Sequence, residues 1–218
     1  MELSGLKRLK DGIKSKLSGL LSKLFKKKRN LKLGIYGPTN AGKTTLANRI
    51  SMDFLGEEVG SVSSIPHETR EVTMKENVTL KKGGKELTIN LVDTPGIATK
   101  IDFEEFIKKG LDQETAKKRA KEATQGVIEA IKWLDKMDIV LAVMDARKNP
   151  YTQVNITILG NLEARKIPVI LVANKIDLRS ANVQRIKKMF PQYEVIGISA
   201  RAGKNMDELY EKIFEVSK

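Results

Sequence analysis

A chain of 218 residues with 40% hydrophobic side chains is long enough for one α/β domain with an appendage, and apolar enough to bury an ordinary core, which excludes disorder throughout. No apolar run reaches the ~18 residues that cross a bilayer and the N-terminus lacks a signal-peptide pattern, so a cytoplasmic location is expected; the absence of cysteine excludes disulfides, thiolate metal sites and cysteine nucleophiles. The formal charge of +13 is uneven: residues 1–30 carry ten Lys/Arg against Glu2 and Asp11, a net +8, so an anionic partner is to be sought there first.

In chain order, Leu3, Leu6, Leu9, Ile13, Leu17, Leu20, Leu21, Leu24 and Phe25 recur at steps of mostly three and four among lysines and serines. That is the pattern of an amphipathic helix. Its polar tail ends near Asn30, which divides the chain into a basic N-terminal helix at 1–30 and a domain at 31–218. From Leu31 the pattern becomes short β-rich runs: Leu31–Tyr36, Glu71–Leu80, Leu87–Val92, Ile139–Met144, Val169–Ala173 and Tyr193–Ile198. Helical stretches are expected at Lys43–Met52, Phe103–Met137, Thr152–Arg165, Ala181–Phe190 and Met206–Val216. Strands alternating with helices imply crossover units, hence an α/β three-layer domain whose six-stranded sheet is mainly parallel. The Gly83-Gly84 pair joins its two strands without a helix, so those two should form an antiparallel hairpin.

The first chemical signal is Gly37-Pro38-Thr39-Asn40-Ala41-Gly42-Lys43-Thr44, a P-loop placed after an apolar strand and before a helix. Glycines there let successive N–H groups face a phosphate, the helix N-terminus adds positive potential, and Lys43 reaches the β and γ oxygens. Gly37, Asn40, Ala41, Gly42, Lys43, Thr44 and Thr45 form the expected phosphate-binding set, with Thr44 a Mg²⁺ ligand. Leu91-Val92-Asp93-Thr94-Pro95-Gly96 then puts a carboxylate at a strand end, where Asp93 would hold Mg²⁺ through water, and a Gly96 amide that can approach the γ-phosphate.

Base identity comes from Asn174-Lys175-Ile176-Asp177. Asp177 can accept from both N1–H and the exocyclic amine of guanine, a donor pair that adenine does not offer, so GTP or GDP is expected. Asn174 would brace the loop and contact the ring, the Lys175 stem would cover the base, and the Ser199 and Ala200 amides would face guanine O6. These four elements, in this order and spacing, resemble the small GTPase core of the TrmE, Era and EngA-like group, over about residues 31–218. The resemblance implies a Mg²⁺-dependent GTPase acting as a nucleotide-controlled switch, with Thr69, in Glu68-Thr69-Arg70-Glu71, completing the metal shell when the γ-phosphate is present. Lys43, Thr69 and Gly96 would act on the transferring group.

Departures from the group are informative. Era-like proteins end in an RNA-binding KH domain, which is not expected here because the last helical stretch is read as the last helix of the G domain; the 48 residues between Gly96 and Asp145 are more than the family leads one to expect, and the basic N-terminal helix is outside the family core. Ile97 stands where Ras-like proteins place a water-orienting glutamine, so intrinsic hydrolysis should be slow without help. Asn40 is a candidate potassium ligand by the same resemblance; the other reading is an asparagine chosen for its tolerance of unusual backbone angles. His67 reads as an exposed loop residue and Trp133, beside Ile128, Ile131 and Leu134, as core packing. The Phe103–Glu122 segment fits a partner surface or a solvated helix. Three surfaces compete for residues 3–25: an anionic membrane, this domain or a second copy of it, and RNA or the ribosome. Lipid leads because nine large apolar residues gain nothing from phosphates. A protein effector and the oligomeric state are left open.

Overall fold

The computed structural model describes residues 30–58, 71–97, 107–108 and 110–217. The proposed N-terminal helix, His67 and Thr69 lie outside them. The order is β1 (Leu31–Tyr36), α1 (Lys43–Leu55), β2 (Thr73–Lys82), β3 (Lys85–Asp93), α2 (Gln113–Trp133), β4 (Ile139–Asp145), α3 (Gln153–Ala164), β5 (Val169–Asn174), α4 (Val183–Met189), β6 (Val195–Gly197) and α5 (Met206–Val216). The strands form one sheet in the order β2-β3-β1-β4-β5-β6. All neighbours are parallel except β2 and β3, as the missing crossover between them requires.

That hairpin turns on Gly83 and Gly84 at φ 54° and 75°. Two consecutive left-handed residues make the tight turn whose twist matches antiparallel strands. The tightness extends both strands to the turn, so β2 runs to Lys82 where the sequence pattern stops at Leu80.

Two apolar faces sandwich the sheet. Leu33, Ile35, Leu91, Leu141 and Val172 pack with α1 and α5 on one side; on the other, Val140, Ala142 and Leu171 pack under α2, α3 and α4. The central strand β4 is buried at every position, which is why Ile139–Asp145 reads as an uninterrupted apolar run rather than an alternation.

The long helix is shorter than its periodicity predicts. Gly110 adopts φ 91°, a conformation that interrupts a helix, and Asp112 then caps the new start by accepting from the Thr115 amide at 2.9 Å. The helix therefore runs Gln113–Trp133, and a 3-10 turn, Leu134–Lys136, finishes it. The expected stripe holds at Leu134, which is buried, and at Ile131, which packs against the same cluster together with buried Ala130, but Ile128 is exposed. Trp133 is half-buried against this cluster, with the Lys136 ammonium 4.2 Å from its ring centre. The last elements are trimmed likewise. Asn182 caps α4 by accepting from the Arg185 amide, which starts it two residues later than expected, and β6 keeps only Val195–Gly197.

Candidate functional site

Crossovers leave β1 and β4 toward opposite edges of the sheet, so the loops after these neighbouring strands open a crevice at their carboxyl ends, the usual ligand position in such sheets. The loop after β1 is Gly37–Gly42. Its close packing explains its glycines: a Cβ on Gly37 would collide with the Val143 carbonyl oxygen, and one on Gly42, at φ 93°, with the Asn174 amide. Asn40 sits at φ 61°, a left-handed conformation that asparagine adopts more readily than most residues.

Lys43 begins α1 and is 6% exposed. Its ammonium donates to the Pro38 carbonyl at 3.2 Å, curled back over the loop. Burial pushes its pKa down to about 8, with the Asp93 charge acting in the opposite direction. A phosphate oxygen on this ammonium would add to the Asp93 charge in offsetting the desolvation. Asp93, at the end of β3, is 1% exposed, and burial pushes its carboxyl above the usual range despite the hydrogen bond from Thr44 and the nearby Lys43. Thr44 Oγ1 donates to Asp93 Oδ2 at 2.7 Å, whereas Asp93 Oδ1 is buried without a hydrogen-bond partner. A hydroxyl and an under-satisfied carboxylate side by side are the hard oxygen donors that Mg²⁺ takes, so these residues fit the metal.

Gly96 lies against the loop: a Cβ there would come within 2.8 Å of the Thr39 Cα. The next amide, Ile97, donates to the Gly37 carbonyl at 3.2 Å, and the Ile97 side chain is buried in the apolar cluster with Tyr36 and Val92.

A family model described as 50S ribosome-binding GTPase matches residues 32–175, the span from β1 through Lys175. The chain belongs to this GTPase family. Among curated relatives, GTPase Era of Clostridium acetobutylicum is 34% identical over 186 residues, 81% of this chain and 52% of that protein. GTPase Der of a Sulfurihydrogenibium species is 31% identical over 201 residues, 87% of this chain and 39% of the relative. The chain thus spans about half or less of the length of these relatives. Two Era crystal structures, one of the Aquifex aeolicus protein with GDP·AlF4⁻ and one with MgGDPNP and a segment of 16S ribosomal RNA, each superpose with a TM-score of 0.65 at 26% identity, over 85% of this chain and 56% of theirs.

In this GTPase-family chain the second half of the crevice is built around Asn174, at the end of β5 and 2% exposed. Its Nδ2 donates to the Ala41 carbonyl at 3.0 Å, and its Oδ1 accepts from the Lys175 amide at 2.8 Å and the Ala200 amide at 3.1 Å. One side chain thereby ties together three loops. Lys175, at φ 70°, reaches back so that its ammonium donates to the Asn40 carbonyl at 2.6 Å and to Asp145 Oδ2 at 2.9 Å.

Asp177 is exposed beyond this brace. The Ser199 hydroxyl holds its carboxyl below the ordinary carboxylate value, helped by the charges of Arg201 and Lys204. The Ser199 and Ala200 amides are not idle donors: Ser199 N–H bonds to the Lys204 carbonyl at 3.1 Å, and Ala200 N–H is on Asn174. A guanine O6 arriving there would share the Ala200 donor.

In the sequence Asp145 stands out only as the residue after the apolar run Ile139–Met144. The structure places it at the centre of this corner, 6% exposed, with Arg147 donating from Nε to Oδ1 at 3.0 Å and from Nη2 to Oδ2 at 2.7 Å. Burial alone would raise this carboxyl; the bonds from Arg147 and Lys175 overcome it and hold the group well below its usual range. The available signal was an aspartate ending a fully apolar strand, the same context that marked Asp93.

Proposed function

We propose that this chain binds GTP with Mg²⁺, hydrolyses it slowly, and uses the two nucleotide states as a switch. The observation that carries the reading is the Asn174 brace, which joins the phosphate loop to the loops bearing Asp177 and Ser199. A cradle for phosphate and a carboxylate suited to guanine's paired donors become one hydrogen-bonded unit, so binding at either end is felt at the other.

In this reading the N–H groups of the P-loop, Pro38 having none, and the Lys43 ammonium hold the β and γ phosphates, and the Gly96 amide holds a γ oxygen. Asp177 accepts from guanine N1–H and the exocyclic amine, while the Lys175 stem covers the ring. Thr44 and Asp93 would hold Mg²⁺, joined by Thr69 of the GTP-dependent loop. When bound, the metal neutralises charge building on the β and γ oxygens. Ile97 faces the core and cannot orient water, which makes the intrinsic rate slow. Asn40 is proposed as the ligand of an activating potassium ion.

The test is phosphate release from GTP and from ATP, each with Mg²⁺ and with EDTA. GTP with Mg²⁺ should be the productive combination; equal turnover of ATP, or turnover that survives EDTA, would overturn the reading.

A recruitment role follows from the nine-residue apolar stripe and net +8 of residues 1–30, a composition that both inserts into and is attracted by an anionic lipid surface. The alternative, a ribosome or RNA partner, draws on the Era complex that contains 16S ribosomal RNA. Turnover with anionic liposomes and with ribosomal particles separates them: the proposed recruitment requires liposomes to bind the full chain, and binding to the particles alone favours the alternative. Among the described residues no helix is long and apolar enough to cross a membrane.

A further inference from the structure

We infer that Arg49, on the helix that begins in the phosphate loop, is a positioning residue for guanine selectivity, acting through the Ser199–Lys204 loop on Asp177. The inference rests on the guanine reading given above.

Arg49 lies two turns into α1 on the face toward α5, half-buried. Its Nε donates to the Ala200 carbonyl at 3.1 Å and its Nη2 to the Arg201 carbonyl at 3.0 Å. Two consecutive peptide oxygens are thus gripped by one planar fork, the geometry for which guanidinium is better suited than ammonium. Because a trans peptide sets C=O and N–H on opposite sides, fixing these two oxygens toward α1 turns the following N–H groups away from it. The second of them, Ala202 N–H, donates to Ser199 Oγ at 3.0 Å. The Ser199 hydroxyl holds the Asp177 carboxyl below its ordinary value, and the Ile176 amide donates to the Ile198 carbonyl at 3.1 Å, tying the loop that bears Asp177 to the one that begins at Ser199. The chain of contacts therefore runs from Arg49 through two carbonyls and one amide to the Ser199 hydroxyl, in the loop tied to the one that bears the base-reading group.

The fork is itself held. Asp53, one turn on, lies 3.6 Å from Arg49 Nη1 and accepts from the Tyr210 hydroxyl at 2.5 Å; Tyr210 packs edge-on against Phe54 with ring centres 4.9 Å apart. On the loop side Gly203 adopts φ 69°, a left-handed conformation that favours glycine, and packs against the guanidinium, where a Cβ would make ordinary contact at 3.5 Å from Arg49 Cζ. The Asn174 brace fixes the near end of the loop at Ala200 N–H, and Arg49 fixes the next two peptides. Neither residue needs to touch the nucleotide's phosphates for the second effect to exist.

Selectivity is read with the full chain as the ratio of Kd for IDP to Kd for GDP. Inosine lacks the exocyclic amine that Asp177 would accept from, and the shared diphosphate cancels. Arg49→Ala should shrink this ratio by about threefold to tenfold, the equivalent of roughly one hydrogen bond. Arg49→Lys, which keeps the cation but not the fork, should give a smaller fall in the same direction and covers the case in which the alanine variant does not fold. A general loosening of the domain would weaken GDP and IDP equally and leave the ratio where it was. A wild type that prefers GDP, with variants that retain its full GDP-over-IDP ratio, overturns this inference alone. A wild type that binds ADP as tightly as GDP overturns the guanine reading itself, and this inference with it.

Discussion

Asn174→Ala is the substitution whose cost can be worked most directly from the geometry. The side chain is 2% exposed, and the residues it bonds, Ala41 and Ala200, are 1% and 2% exposed. Truncation removes three hydrogen bonds at once, at 2.8, 3.0 and 3.1 Å, and leaves a carbonyl and two amides without their partner. At about 1 kcal/mol per bond, and more where the abandoned group stays dry, the loss is about 3 kcal/mol. In a domain of this size that lowers Tm by roughly 6–12 °C. Thermal unfolding of the nucleotide-free protein by circular dichroism measures it. Asn174→Asp is the informative companion, because it keeps the acceptor for both amides but presents a carboxylate to the Ala41 carbonyl, and should lose stability near neutral pH as well. A fall of under about 1 kcal/mol for the alanine variant would show that the three loops hold their positions without this side chain, and would refute the brace.

Asp145→Asn should destabilise by about 1–2 kcal/mol near neutral pH, since it removes the charge from the bonds to Arg147 and Lys175. The Asp145 carboxyl is held below its ordinary value, so its stabilisation is present above the usual carboxylate range and disappears as pH falls through the folded-state value. The gap between wild type and variant in Tm should narrow with acidification; a gap independent of pH counts against the ion-pair account. Turnover should be faster in potassium chloride than in sodium chloride at equal ionic strength, and Asn40→Gly, which keeps the φ of 61° without strain while deleting the amide, should remove the difference; equal wild-type rates in both salts would sink the potassium proposal. Removing residues 1–29 should leave GDP affinity within about twofold, because every proposed contact comes later, yet abolish sedimentation with anionic vesicles at low salt; a full-length chain that ignores such vesicles contradicts membrane recruitment.

Much of this was legible in the residues because the chemistry is local. A phosphate loop needs its glycines, lysine and threonine within one short run, and Gly37–Thr44 shows them in order between a strand and a helix. The hairpin was equally plain, since Gly83-Gly84 has few other uses between two β-rich runs. Contacts made across the sheet were not visible. Asp145 meets Lys175 because β4 and β5 pair with Asp145 opposite Asn174, a register that no single stretch of sequence contains. Arg49 reaches residues about 150 positions further on, and on its own helix looks like any solvated arginine. The long helix was overextended for a different reason: charges at helical spacing continue through Phe103–Glu122, and only the left-handed Gly110 with the Asp112 cap reveals where the helix begins.

The central claim is that one carboxylate selects guanine on a P-loop scaffold. Calorimetric titration of the wild type and Asp177→Asn with GDP and with XDP tests it most directly. An amide at position 177 can donate to the extra carbonyl of xanthine but can no longer accept from both guanine donors. The account predicts that the wild type binds GDP in preference to XDP and that the variant reverses the order; a variant that keeps wild-type affinity for GDP would contradict it.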